Sequence, residues 1–238
     1  DPRSGVGQFS PHSSPELLSR LGDAIGKNTH LRHLSFVITH NNHLPDSIAD
    51  NRDFFKGIKC NASIDELFLC ACHLDEGRML GRKVLNTFAE KNNGNNLKEI
   101  KLFGCHIRDG GASVLSSTLL RCKQLQRISI ICCNYGGDDM LEDLILGMGG
   151  LHQLTFLSLA GDSVGRASCN ALSSLLQDHS LNLIDVDLSD NFIDDDCTAV
   201  LANSLNGNNK LESICFSRNP MITQFGWSAF AKLRDLSL

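Results

Sequence analysis

Residues 183–193 read LIDVDLSDNFI, with Leu183, Val186, Leu188, Asn191 and Ile193 at the spacing L-x-x-L-x-L-x-x-N-x-L. The same spacing recurs on both sides of this stretch. Upstream it is filled by Ile64, Leu67, Leu69, Cys72 and Leu74, and by Leu97, Ile100, Leu102, Cys105 and Ile107. Leu125, Ile128, Ile130, Cys133 and Tyr135 follow, then Leu154, Leu157, Leu159, Asp162 and Val164. Downstream, Leu211, Ile214, Phe216, Asn219 and Met221 repeat it. A degenerate copy at Leu31, Leu34 and Phe36 precedes the set, and an unfinished one at Leu233, Leu236 and Leu238 follows it. The starts at 31, 64, 97, 125, 154, 183 and 211 lie 33, 33, 28, 29, 29 and 28 residues apart, the period of a chain built from stacked units.

Each copy alternates apolar and polar residues as a strand does, and is followed by a stretch of helical period at 111–120, 139–148, 167–176 and 197–205. One such β-α unit cannot bury both its faces. Stacking buries them: parallel strands about 4.8 Å apart line one wall and bulkier helices the other, so the sheet is forced into an arc. The expected fold class is α/β, a solenoid with a parallel sheet on the concave face and helices on the convex face. Residues 1–14, DPRSGVGQFSPHSS, lack periodicity and are expected as a flexible tail. Ser14 would cap, and Pro15 open, a helix burying Leu17, Leu21 and Ile25. An irregular stretch at 39–62, with an extra helix at 45–57, reads as a longer early unit of one domain over 15–238, with about seven repeats and an incomplete last one.

In these motifs and this period the chain resembles the leucine-rich repeat family, within it the ribonuclease-inhibitor-like class, whose repeats of about 28 to 29 residues pair a strand with a full helix. The resemblance covers about residues 15–238 and is specific for fold, not for function. It implies that the residue after each strand turns inward to satisfy backbone groups of the loop, a ladder filled here by Cys72, Cys105, Cys133, Asp162, Asn191 and Asn219. It also implies binding roles: ligand-binding or autoinhibitory regions of NOD-like immune receptors, inhibitors, and regulators of actin or GTPases.

The 238 residues carry 22 basic and 27 acidic side chains, a formal charge of −5, which gives no reason to expect nucleic acid or anionic membranes as partners. No apolar run approaches the roughly 18 residues that span a bilayer. A chain of this length needs no disulfide staples, so its ten cysteines point to thiols of a reducing, cytoplasmic compartment.

Several local patterns imitate reactive sites. Cys70, Cys72, Cys105, Cys132 and Cys133, with His73 and His106, would gather on neighbouring strands as zinc ligands do. The ladder accounts for three of these cysteines and no C-x-x-C pair occurs, so no metal is expected. Cys70, Cys132 and Cys215, on or near the concave face, are candidates for oxidation. Gly161, Ser163 and Gly165 satisfy G-x-S-x-G, with His179 and Asp187 as the nearby partners a triad would need. The repeat register instead makes Asp162 a ladder residue, Val164 a buried one and Ser163 an exposed loop residue, so no catalysis is expected. Asp185, Asp187, Ser189, Asn191 and Asp196 match positions 1, 3, 5, 7 and 12 of a calcium loop, but Asp190 replaces the required Gly. The sequon Asn61-Ala62-Ser63 carries little weight, and His30, His33, His40 and His43 read as solvated loop histidines.

The residues between the leucines of each strand point into the arc. The candidate partner-binding set is Glu66, Phe68, Glu99, Lys101, Phe103, Arg127, Ile131, Phe156, Asp185, Asp187 and Arg218. Aromatic anchors among charges in the early units, beside a mainly acidic later half, are expected to bind a protein partner without catalysis and without a cofactor or small-molecule substrate. The alternative for the rings is that they only cover the sheet or pack under Phe9. Two other functions compete: activation of a small GTPase, as by GTPase-activating proteins of similar arc shape, and a structural or autoinhibitory segment of a larger repeat protein such as an immune receptor.

Overall fold

The computed structural model describes residues 4–7, 14–37, 51–74, 80–90, 96–108 and 110–231. Among them eight strands form one sheet: β1 (Ser4–Gly7), β2 (His33–Val37), β3 (Glu66–Cys70), β4 (Glu99–Phe103), β5 (Arg127–Ile131), β6 (Phe156–Ser158), β7 (Asp185–Asp187) and β8 (Ser213–Cys215). Every neighbouring pair is parallel and the spatial order is the chain order, β1 to β8. Eight α-helices alternate with them: α1 (Pro15–Lys27), α2 (Arg52–Cys60), α3 (Leu80–Ala89), α4 (Gly111–Arg121), α5 (Asp138–Leu146), α6 (Arg166–Gln177), α7 (Asp195–Ser204) and α8 (Gln224–Phe230). A short 3₁₀ turn at Gly147–Gly150 extends α5. No helix among the described residues is long and apolar enough to cross a membrane.

The periodic apolar positions supply the core. Leu67 and Leu69 of β3, Ile100 and Leu102 of β4, Ile128 and Ile130 of β5 and Leu157 of β6 are at most 1% exposed, and they pack in one cluster with Leu85, Leu115, Leu144 and Leu172 of the helices. Val186 of β7 joins them, while Ile214 of β8 is half-buried. Met221 breaks the pattern at 53% exposure. The copy expected at Leu233, Leu236 and Leu238, residues 45–50 of the extra helix and Phe9 lie outside the described residues. The rest of that helix is α2, which starts at Arg52. The stretch 1–14, expected as a tail, contains β1.

At the N-terminal end, Leu17 N donates to Ser14 Oγ at 3.2 Å, the cap that the Ser-Pro pair predicts. The buried stripe of α1 is Leu18, Gly22 and Ile25, with Leu21 half-buried and Leu17 54% exposed, a rotation from the expected face. The cause is a close helix crossing: α1 meets α2 backbone to backbone at Gly22 and Gly57, so the apolar side chains settle on either side of that contact. A Cβ on Gly57 would fall inside the carbonyl of Gly22. Alanine in place of a helical glycine usually gains about 1 kcal/mol. Here Gly57→Ala is expected to lose about 2–3 kcal/mol by prising α1 from α2, read as a lower urea midpoint, and a neutral or stabilising result would show that the crossing is slack.

The strand-to-loop corner is the same in six units. Ala71, Gly104, Cys132, Gly161, Asp190 and Arg218 all have φ between 53° and 71°, and each stands immediately before a ladder residue. This left-handed corner turns the next side chain inward beneath the loop. The ladder then binds backward along the chain. Asn219 Oδ1 accepts from Ile193 N, Asn191 Oδ1 from Asp162 N and Val164 N, Asp162 Oδ1 from Cys133 N, and Cys133 Sγ from Cys105 N. Helix caps run the other way. Asp138 accepts from Gly165 N, Ala167 N and Ser168 N at the start of α6, and Asp195 from Thr223 N and Gly226 N at the start of α8.

Candidate functional site

The outward positions of the strands form three rows across the sheet. The strand registers align His33, Glu66, Glu99, Arg127, Phe156, Asp185 and Ser213 in the first row. The second holds Ser35, Phe68, Lys101, Ser129, Ser158, Asp187 and Cys215, and the third Val37, Cys70, Phe103 and Ile131. Ten of the expected partner-binding residues therefore share one face. The eleventh, Arg218, stands at the left-handed corner after β8, where its Nε and Nη2 donate to both carboxylate oxygens of Asp190.

The three phenylalanines fall in three different rows. Phe103 is 46% exposed and lies between Cys70 and Ile131, with Val37, 38% exposed, one strand further, so the third row is an apolar stripe over four strands. Phe68 is half-buried beside Lys101. Phe156 is half-buried too, with the Arg127 guanidinium 3.9 Å above its ring centroid. Val37 belongs to this stripe though it was not among the expected residues. Its signal was the alternation of the degenerate first copy, in which Leu34 and Phe36 face the core and residue 37 faces out.

Side chains in the early half pair with one another. His33 Nδ1 lies 2.5 Å from Glu66 Oε2. Glu99 Oε1 lies 2.8 Å from Lys101 Nζ and 3.6 Å from Arg127 Nε, and the Glu99 side chain is 13% exposed. Glu99 Oε1 is buried without a hydrogen-bond partner, and its charge faces both cations, including the arginine that covers Phe156. In the later half Asp187 accepts from Ser158 Oγ at 3.3 Å and from Ser189 N at 3.0 Å, and among the described residues neither Asp185 nor Asp187 has an ion-pair partner.

The patterns that imitate reactive sites are placed as follows. Ser163 is exposed just before α6, whereas His179 lies beyond the other end of that twelve-residue helix, about 18 Å away at 1.5 Å per residue. Asn191 spends both ends of its amide on the ladder, and Asp196 pairs with Arg166 at 3.1 Å, so the calcium-loop positions do not converge. Among the described residues no three His, Cys, Asp or Glu side chains are arranged to hold a metal. Cys72, Cys105 and Cys133 are buried ladder thiols, and His73 stacks on His106 with ring centroids 4.4 Å apart. None of the ten cysteines is in a disulfide. Burial, then the neighbouring Cys105, raises the Cys70 thiol above its ordinary pKa, which lowers its reactivity. The sequon residue Asn61 is buried at 2% exposure, its amide donating to the carbonyls of Ile25 and Asn28 at 2.7 Å, so the atom a glycan would occupy is engaged.

No family model matches the chain, and no curated protein matches it.

Proposed function

We propose that this chain is a leucine-rich repeat arc of the ribonuclease-inhibitor-like class that binds a protein partner on its exposed sheet face and catalyses no reaction. The spacing of 28 to 29 residues, the six identical left-handed corners each followed by a ladder residue, and a strand order equal to the chain order support the repeat reading. The observation that carries the binding reading is the sheet face itself. Its alternate residues include an exposed phenylalanine in an apolar stripe, rimmed by paired charges, the composition of an interaction hot spot. Ten cysteines without a disulfide favour a reducing compartment, the cytoplasm. The formal charge of −5 disfavours nucleic acid or an acidic membrane as the partner.

Affinity capture with the wild-type chain beside a Phe68→Asp, Phe103→Asp variant of unchanged circular dichroism tests this. The expected result is a protein held by wild type and weakened at least tenfold by the variant, which on binding slows hydrogen exchange in β3 to β5. Equal retention by both chains, or protection confined to the helices, would remove the sheet face as the site.

A further inference from the structure

Among the described residues β8 is the last strand of the sheet, and its outer edge carries the groups of a pairing not yet made. One unit earlier, Leu188 N donates to Cys215 O and Asp190 N to Ser217 O. The corresponding groups of the last unit, Phe216 N and Arg218 N, have no acceptor among the described residues. An open hollow of about 760 Å³ lies between this edge, at residues 214–220, and Trp227 of α8. Trp227 is the fourth residue after the N-cap Thr223, as Cys169 is after Gly165 and Thr198 after Asp194. Cys169 and Thr198 are 0% exposed, and each of their helices has the next one packed on it, whereas Trp227 is 50% exposed. An indole in that place holds a further regular helix away, so another repeat of the same kind is a poor cover for this end.

The edge itself shows which surface fits it. Residues 212–218 read ESICFSR, and about Cys215 this stretch is complementary to its own reverse. Ser213 answers Ser217, apolar Ile214 answers apolar Phe216, and Glu212 answers Arg218 with the opposite charge. Glu212 is exposed and has no ion-pair partner among the described residues. Arg218 gives Nε and Nη2 to Asp190, which leaves the donors of Nη1 for a second carboxylate.

We propose that two copies of this chain join end to end at this face, with β8 pairing antiparallel to β8 of the second copy about a two-fold axis at Cys215 and the two Trp227 ends packed together. In this register Phe216 N donates to the carbonyl of Ile214 in the second copy, and Arg218 N to that of Glu212, so the edge groups are satisfied. Ile214 and Phe216 continue the apolar layer from one copy into the other, and each Glu212 meets an Arg218. The two cysteines at the axis form a pair without backbone hydrogen bonds, with Cα atoms about 4.5 Å apart, within reach of a disulfide. A two-fold contact closes after two copies, whereas β8 against β1 of another copy would add chains without limit. The outward face of the sheet stays open in the dimer, so this inference stands or falls apart from the binding reading above.

Sedimentation equilibrium of the full chain, kept reduced, tests the inference. The expected result is twice the chain mass at about 50 μM, with no larger species as concentration rises. Diamide, which takes up the two electrons and two protons that a pair of thiols releases, is expected to link the copies through Cys215, as located by mass spectrometry of the peptides. Cys215→Ser should lose that link and keep the dimer. Glu212→Arg sets like charges against each other at both symmetry-related places and should weaken association by about tenfold or more. A monomer at this concentration overturns the inference and leaves the end face to residues 232–238 or to another protein. Masses that go on growing, links through Cys60 or Cys132 in place of Cys215, or a Glu212→Arg chain that associates as wild type does also overturn it. The wild-type mass and cross-link need no variant, so they decide the matter even where a variant misfolds.

Discussion

Asn191→Ala is expected to destabilise the protein by about 4–6 kcal/mol, lowering the melting temperature by about 10–20 °C for a chain of this size. Asn191 is 2% exposed. Its Oδ1 accepts from Asp162 N at 3.0 Å and Val164 N at 2.9 Å, and its Nδ2 donates to the carbonyls of Leu159, Leu188 and Ser189 at 2.8 to 3.1 Å. Alanine would leave those buried backbone groups unpaired at about 1–3 kcal/mol each, partly offset where water enters. Asn191→Cys should fall between wild type and alanine, since Cys105 at the equivalent slot still reaches the carbonyls of Leu69 and Phe103 through sulfur. Denaturant unfolding of the three proteins checks the order. A loss below about 1 kcal/mol for alanine would mean that water replaces the amide almost fully.

Asp162→Asn should do the reverse and stabilise. Asp162 occupies a ladder slot as a carboxyl, 3% exposed, and burial pushes its pKa up from 3.8 to about 8 against the opposing hydrogen bonds from Cys133 N and Tyr135 OH. A carboxylate there has no hydrogen to give, whereas the amide of Asn191 donates to three carbonyls. The groups facing it are Cys133, Tyr135 and Cys105, none of them cationic. Because the folded pKa lies above the unfolded one, the folded state keeps a proton that the unfolded chain has released. The contribution is complete below pH 3.8 and is lost as pH rises toward about 8. Asparagine removes that slope. The variant should match wild type near pH 4 and exceed it by on the order of 3 kcal/mol at pH 8. A wild-type stability that stays level across this window would show Asp162 to be ionised in the fold.

The L-x-x-L-x-L spacing was enough to place β2 to β8, because period-two alternation is a local property of the chain, while the inward ladder came from the resemblance to leucine-rich repeats and β1 carried no such signal. Helix position followed from the 3.6-residue period in the same way, so the stretches 111–120 and 167–176 agree with α4 and α6 within one residue at each end. What the pattern could not carry was rotation and height. The face of α1 was misjudged at Leu17 because it is set by the distant Gly22–Gly57 contact, not by the helix's own sequence. Parity alone placed Glu66 to Asp187 on one face, but the three rows depend on register between strands. The burial of Ser129 and Ser158 on that same face is invisible to parity too.

At the β5–β6 and β7–β8 junctions ladder and caps run in opposite directions, and this has a consequence for how such a chain can change over time. At the junction between the β5 and β6 units, Asp162 of the later unit completes the corner of the earlier one, and Asp138 of the earlier completes the first turn of the later. A deletion or insertion that falls inside a unit severs one set of bonds and misaligns the other, so both neighbours lose satisfied groups. Gain or loss of one whole period keeps the register that these bonds need at the remaining junctions. Lengthening by duplication in steps of 28 or 29 residues is thus the change that this architecture tolerates best, and the side chains along the uncovered face can then diverge unit by unit without disturbing the bonds beneath them.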